Sequence, residues 1–188
     1  MIPIADGLAA AILLALGRAD GLVRLVAVAG ETRLAARRSF WAIAVALPGF
    51  LALHLMDWAV EGRPQHAGRL LAHDLAGYLI GWLGFAVLSH RLMRDFGRAA
   101  LWPRFIAAWN WCSVVQYMLL VVAGLPPLLG LADWVGQTTW LVAIFWALWL
   151  EYFAARLTLQ LTRVQAWAMV ALDLALGLFI SELISSLA

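Results

Sequence analysis

The chain has 188 residues, 65% of them hydrophobic, with a mean hydropathy of +0.89. A water-soluble domain is nearer half apolar, so the excess must face something other than water, and an integral membrane protein is the natural class. The formal charge of +2 is small and no basic tract forms a nucleic-acid footprint, while the single Cys112 excludes a disulfide framework and a cysteine-based zinc site.

The basic residues are all arginine, a usage that points to a GC-rich bacterial genome and so to a bacterial inner membrane. At the N-terminus the apolar run Leu8–Leu16 is short, Asp6 precedes it and no arginine comes before it. This is not the pattern of a cleaved leader, so the segment is expected to remain. Residues 3–16 are expected to form a shallow helix or to pack against the bundle. In "GRADGLVRLVAVAGETRLAARRSF" Asp20 can cap a helix. Leu22, Leu25, Val26 and Ala29 fall on one face, while Arg24, Arg33, Arg37 and Arg38 supply charge. That spacing predicts an amphipathic helix on the cytoplasmic surface. Residues 1–38 are therefore read as a cytoplasmic or interfacial segment and 39–188 as the transmembrane domain.

Five stretches reach the roughly 20 apolar residues that a helix needs to span a bilayer. They lie at about 40–60, 70–89, 103–124, 137–156 and 164–186. Backbone exposed to lipid must be helical unless it closes a barrel, and no short alternating segments suggest strands. The expected fold is all-α, with five transmembrane helices. Pro48 should kink the first span, and Pro126 and Pro127 should end the third.

Arginine sets the expected orientation. With the N-terminus inside, Arg18, Arg24, Arg33, Arg37, Arg38, Arg91, Arg94, Arg98, Arg104, Arg156 and Arg163 all fall on the cytoplasmic side, and only Arg63 and Arg69 outside. The C-terminus is then outside. Tryptophans at both expected interfaces agree: Trp41, Trp102, Trp149 and Trp167 inside, and Trp58, Trp134 and Trp140 outside.

The third span, "AAWNWCSVVQYMLL", carries the costly polar groups. Asn110, Ser113 and Tyr117 share one helical face, with Gln116 beside it, and the opposite side is greasy. Side-chain amides in lipid seek partners on other helices. Asp173, in the last span, falls at a similar depth, so these five residues are expected to form an intramembrane polar cluster. Its bland reading is a buried clasp, and its functional reading is a proton or ion site. In the second span Gly77, Gly81 and Gly84 form a stripe with Asp74, a close-packing signal read as contact within the monomer rather than dimerisation. His54, Asp57, Glu61, His66, His73 and Asp74 cluster at the outer ends of the first two spans. His54, Asp57, Glu61, His73 and Asp74 are the candidate divalent-metal ligands, although no known metal spacing is present and a solvated rim is the plainer reading. Glu151 is expected to pair with Arg94 or Arg98. No nucleophile elbow, P-loop, aspartate pair of an intramembrane protease or CxxC is present, so an enzyme is not expected.

The layout, an inside N-terminal segment followed by five spans with the C-terminus out, resembles that of Yip1-like bacterial membrane proteins. More narrowly, "RRSFWAIAVALPGF" and "FIAAWNWCSVVQ" resemble segments of small uncharacterised inner-membrane proteins of alphaproteobacteria. The acidic-tyrosine signature of the eukaryotic Yip1 relatives is missing. The resemblance implies a five-helix membrane fold and a non-enzymatic role in membrane organisation or complex assembly, and it carries over no site residue. The leading expectation is thus a structural or accessory protein. A small transporter or channel component using Asp173, Asn110 and Gln116 is second, and metal binding at the outer rim third. No cofactor is expected. The expected partners are the lipid bilayer and a membrane protein or second copy, not nucleic acid.

Overall fold

A computed structural model of the chain describes residues 4–29 and 31–187. Nine α-helices are found among them: α1 (Ile4–Ala15), α2 (Asp20–Ala29), α3 (Thr32–Ser39), α4 (Trp41–Glu61), α5 (Ala67–Asp95), α6 (Trp102–Ala123), α7 (Leu125–Leu128), α8 (Asp133–Leu159) and α9 (Arg163–Leu187). The described residues contain no strand. Five helical stretches are long and apolar enough to cross a membrane: Thr32–Glu61, Ala67–Asp95, Ala99–Leu128, Asp133–Leu159 and Arg163–Ser186. Each covers one of the five expected spans and extends past it at one end or both. Large apolar side chains such as Leu83, Val87, Phe145 and Leu178 stand exposed on α5, α8 and α9, as a lipid-facing surface requires.

Helix α6 is the central post. Between Phe105 and Val114 every residue is buried. On the greasy side Trp111 and Val114 are covered by protein, whereas Met118 one turn further on is exposed. The cover comes partly from α1, too short to span a bilayer of about 30 Å. A Cβ added at Gly7 of α1 would clash with the Trp111 ring, so only glycine allows α1 to lie so close to α6. Ala10, Ala11 and Leu14 are buried behind it. Of the two expectations for this segment, docking on the bundle is the one realised.

The segment expected as one surface helix is two. In α2, Leu25 is buried, and Arg24 ion-pairs Asp6 of α1 at 3.2 Å. The Ala29 side chain lies outside the described residues. Helix α3 packs on α6 and buries Ala35, Ala36 and Ser39. Asp20 is not a cap but the first residue of α2, ion-paired with Arg18 at 2.8 Å.

Local chemistry sets the other boundaries. α4 runs through Pro48 and stops at Gly62, whose φ of 96° suits glycine. α6 ends at Ala123, and Pro126 and Pro127 sit in the short α7 that turns the chain toward α8. α8 ends at Gln160, held in the left-handed region at φ 53°. Arg98 holds that end, donating to the carbonyls of Leu159 at 3.2 Å and Gln160 at 3.1 Å. Positive charge at a helix C-terminus also suits its dipole. α9 opens with a reciprocal capping box: the Thr162 N–H donates to Gln165 Oε1 at 3.1 Å, and the Gln165 N–H to Thr162 Oγ1 at 3.3 Å.

Candidate functional site: an acid pair in an intramembrane cavity

Helices α5 and α9 pack on each other through the glycine stripe. A Cβ at Gly77 would stand 3.3 Å from Ile184 Cγ1, and one at Gly84 would stand 3.7 Å from Leu176 Cδ2. Gly81 faces Ile180 in the same way. The stripe therefore works within the chain. α8 joins α6 to α9 on the other side, and α4 lies against α6.

These five helices line an open cavity of about 610 Å³. Its walls include the rings of Phe50, Tyr78, Trp82, Trp109 and Tyr117. It runs from mid-bundle toward the end that carries the 62–66 loop, where Asp74 and Ile184 line it. In the other direction the packing closes. Phe85 stacks on Trp109 with centroids 4.5 Å apart and meets Phe105 edge-on at 6.1 Å, and Leu150 is fully buried.

At the deep part of the cavity sits a pair of acids. The carboxyls of Glu151 on α8 and Asp173 on α9 lie within hydrogen-bonding reach of each other. Gln116 of α6 fixes the first of them, its Nε2 donating to Glu151 Oε1 and to the Ala147 carbonyl, both at 3.0 Å. Glu151 Oε2 is shut off from solvent and has no donor. Two carboxylates cannot donate to each other, so a single proton held between them satisfies that oxygen and removes one of two adjacent buried charges. Tyr117 lies within electrostatic range of Asp173, and the buried Cys112 thiol within that of Glu151. No arginine lines the cavity among the described residues.

The polar groups toward the 62–66 end are separate from this pair. His54 Nε2 lies 3.2 Å from Asp74 Oδ2, and its Nδ1 lies 3.0 Å from the Phe50 carbonyl, so both ring nitrogens face acceptors. Tyr78 sits between the two polar ends and donates its hydroxyl to the Ile43 carbonyl of α4 at 2.5 Å.

The structure thus redraws the expected cluster. Ser113, Gln116, Tyr117 and Asp173 line the cavity. Asn110 does not join them. It points to the other side of α6, where its Nδ2 donates to Ser39 Oγ of α3 at 2.8 Å, and both residues are fully buried. Glu151 takes the place foreseen for Asn110. It pairs with no arginine, because Arg98 is engaged with the end of α8 and Arg104 donates to the Thr158 carbonyl. The depth count that aligned α6 with α9 finds Glu151 when applied to α8. Glu151 and Asp173 lie eight and ten residues from the helix ends at Leu159 and Arg163, about 12 and 15 Å at 1.5 Å per residue.

The metal rim does not assemble. No group of three or more His, Cys, Asp or Glu side chains placed to hold a metal exists among the described residues. His54 and Asp74 turn inward to each other, Asp57, Glu61 and His66 are exposed, and His73 Nδ1 is buried without a partner. Sequence proximity across the short loop brings His54 to Asp74, but the exposed Asp57, Glu61 and His66 do not join them. Set against family models, curated proteins and solved structures, the chain matches none of them.

Proposed function

We propose that the protein is a small multi-pass transport or channel component of a bacterial inner membrane, and that the Glu151–Asp173 pair is its working site. One observation carries this reading: two carboxyls share a buried position in a cavity that no arginine among the described residues lines. Burying acids in a membrane is expensive, and intramembrane acids mark proton or ion paths. A purely structural contact would be better served by apolar side chains, which make up most of the core. With the N-terminus inside and residues 20–38 at the cytoplasmic surface, the cavity runs toward the outer face and is closed on the inner side by Phe85, Phe105 and Trp109. Movement of a solute then requires that layer to open.

The test is proton movement in liposomes holding the purified protein, a trapped pH-sensitive dye and an imposed potential. Native protein is expected to carry protons. Asp173→Asn should fall to the level of empty liposomes while remaining inserted and monodisperse, and Glu151→Gln should lose most of the flux. Native flux no greater than that of empty liposomes, or an unchanged Asp173→Asn, contradicts the proposal.

The accessory-protein reading has one observation in its favour. The Asn110–Ser39 bond is a fully buried interhelical clasp of the kind that holds helices together. It explains Asn110 but not the acid pair.

A further inference from the structure

We infer that the cavity's ligand is an organic ammonium ion: a monovalent amine cation with a small aromatic or aliphatic body, seated on Glu151 and Asp173 in place of their shared proton. This rests on the reading of the cavity as the working site, and adds the chemistry of what enters it.

The deep part of the cavity supplies acceptors. Gln116 occupies Glu151 Oε1, while Oε2 has no donor from any neighbouring side chain. Once the shared proton has left, an –NH3+ group supplies three donors and a positive charge to two carboxylates that would otherwise lack both. The walls suit the rest of such a molecule. Tyr78 and Tyr117 meet edge-on at 5.9 Å, Phe50 stacks obliquely on Tyr78 at 4.7 Å, and Trp82 meets Trp109 at 5.3 Å. Aromatic faces attract cations and also pack against apolar bodies. At about 610 Å³ the volume falls within the usual range for small-molecule sites.

Other ligand classes fit worse. An anion would meet two acids and no arginine. A neutral apolar molecule would leave Glu151 Oε2 without a donor when the pair ionises. A bare divalent ion lacks the convergent ligand set, since no group of three such ligands forms among the described residues.

Binding is an exchange. The ammonium keeps its three N–H bonds, and the proton between Glu151 and Asp173 leaves its carboxyl oxygen for bulk water. One proton is released for each amine bound. The titratable groups that face the pair are Cys112 and Tyr117 of α6. At the other end of the cavity stand His54 of α4 and Asp74 and Tyr78 of α5.

The experiment is calorimetric titration of the purified full chain with phenethylammonium chloride, in two buffers of different ionisation enthalpy to count protons. Matched probes are 2-phenylethanol and 3-phenylpropanoate. Saturable binding of the ammonium alone, with about one proton released, is expected. Asp173→Asn should weaken it at least tenfold and abolish proton release. Glu151→Gln, which keeps the shape and a hydrogen-bonding partner for Gln116, should do the same and covers the case in which Asp173→Asn does not fold. Equal binding of the alcohol or the carboxylate, no saturable ammonium binding, or native affinity in both variants overturns the inference. Proton flux without ammonium binding removes the ligand class alone. Ammonium binding without flux leaves the ligand class standing and removes transport.

Discussion

At the residue scale, polar groups in this bundle are sorted by which side of α6 they occupy. Asn110 and Gln116 are both amides of one helix, yet one closes on Ser39 of α3 and the other on Glu151 of α8. The sequence shows that both need partners, because an amide cannot face lipid. It does not show which, because the partner depends on docking of α1 and α3, which lies beyond helical periodicity. The clasp makes its own prediction. In a double-mutant cycle of Asn110→Ala and Ser39→Ala, measured by unfolding in detergent, the coupling should be about 0.6 kcal/mol and at most about 1.7, the range for interhelical bonds in membranes. Zero coupling would mean that the two groups do not hold each other. Proton flux should survive both changes, since neither residue lines the cavity. Tyr78→Phe removes the hydroxyl that reaches the Ile43 carbonyl across to α4. The expected cost is about 0.5–1.5 kcal/mol of stability with the cavity's ring walls intact, read as a lower unfolding midpoint.

At the element scale, span length and apolarity were legible, because lipid forces long uninterrupted helices and lets almost nothing else through. All five spans were found this way, each within several residues at its ends. Extensions such as Arg91–Asp95 of α5 were not, because a helix need not stop where its hydrophobicity does. The capping box Thr162–Gln165 was missed, although T-x-x-Q ahead of an apolar run is its signal. The place of α1 was only half readable: its apolar content allowed either the membrane surface or the bundle. What decided it is Gly7 against Trp111, a contact between segments over a hundred residues apart. The glycine stripe of α5 tests the packing that roofs the cavity. Gly77→Leu should push Ile180 and Ile184 of α9 away from α5 and cost about 1–3 kcal/mol, as overpacking does, while Gly68→Leu, with nothing within 4 Å, should cost little. Equal stability of the two variants would remove the close α5–α9 contact.

At the scale of the whole molecule, the architecture is a buried post with four spans and a short docked helix around it, and the space left on one side of the post holds the acids. The arginine bias proposes which side is which. Cys112, the chain's single cysteine, is 1% exposed, so it gives little background to a hydrophilic maleimide. On intact cells Arg63→Cys should label directly, and Arg94→Cys only after permeabilisation. The reverse pattern would invert the topology and turn the cavity toward the cytoplasm. The account as a whole depends on one proton held between Glu151 and Asp173. Infrared spectroscopy of the reconstituted protein at neutral pH reads this directly in the carbonyl stretch of a protonated carboxyl group. The account predicts such a band in the native protein, lost or shifted in both Glu151→Gln and Asp173→Asn. A native spectrum without it, or a band that neither substitution alters, would contradict the account.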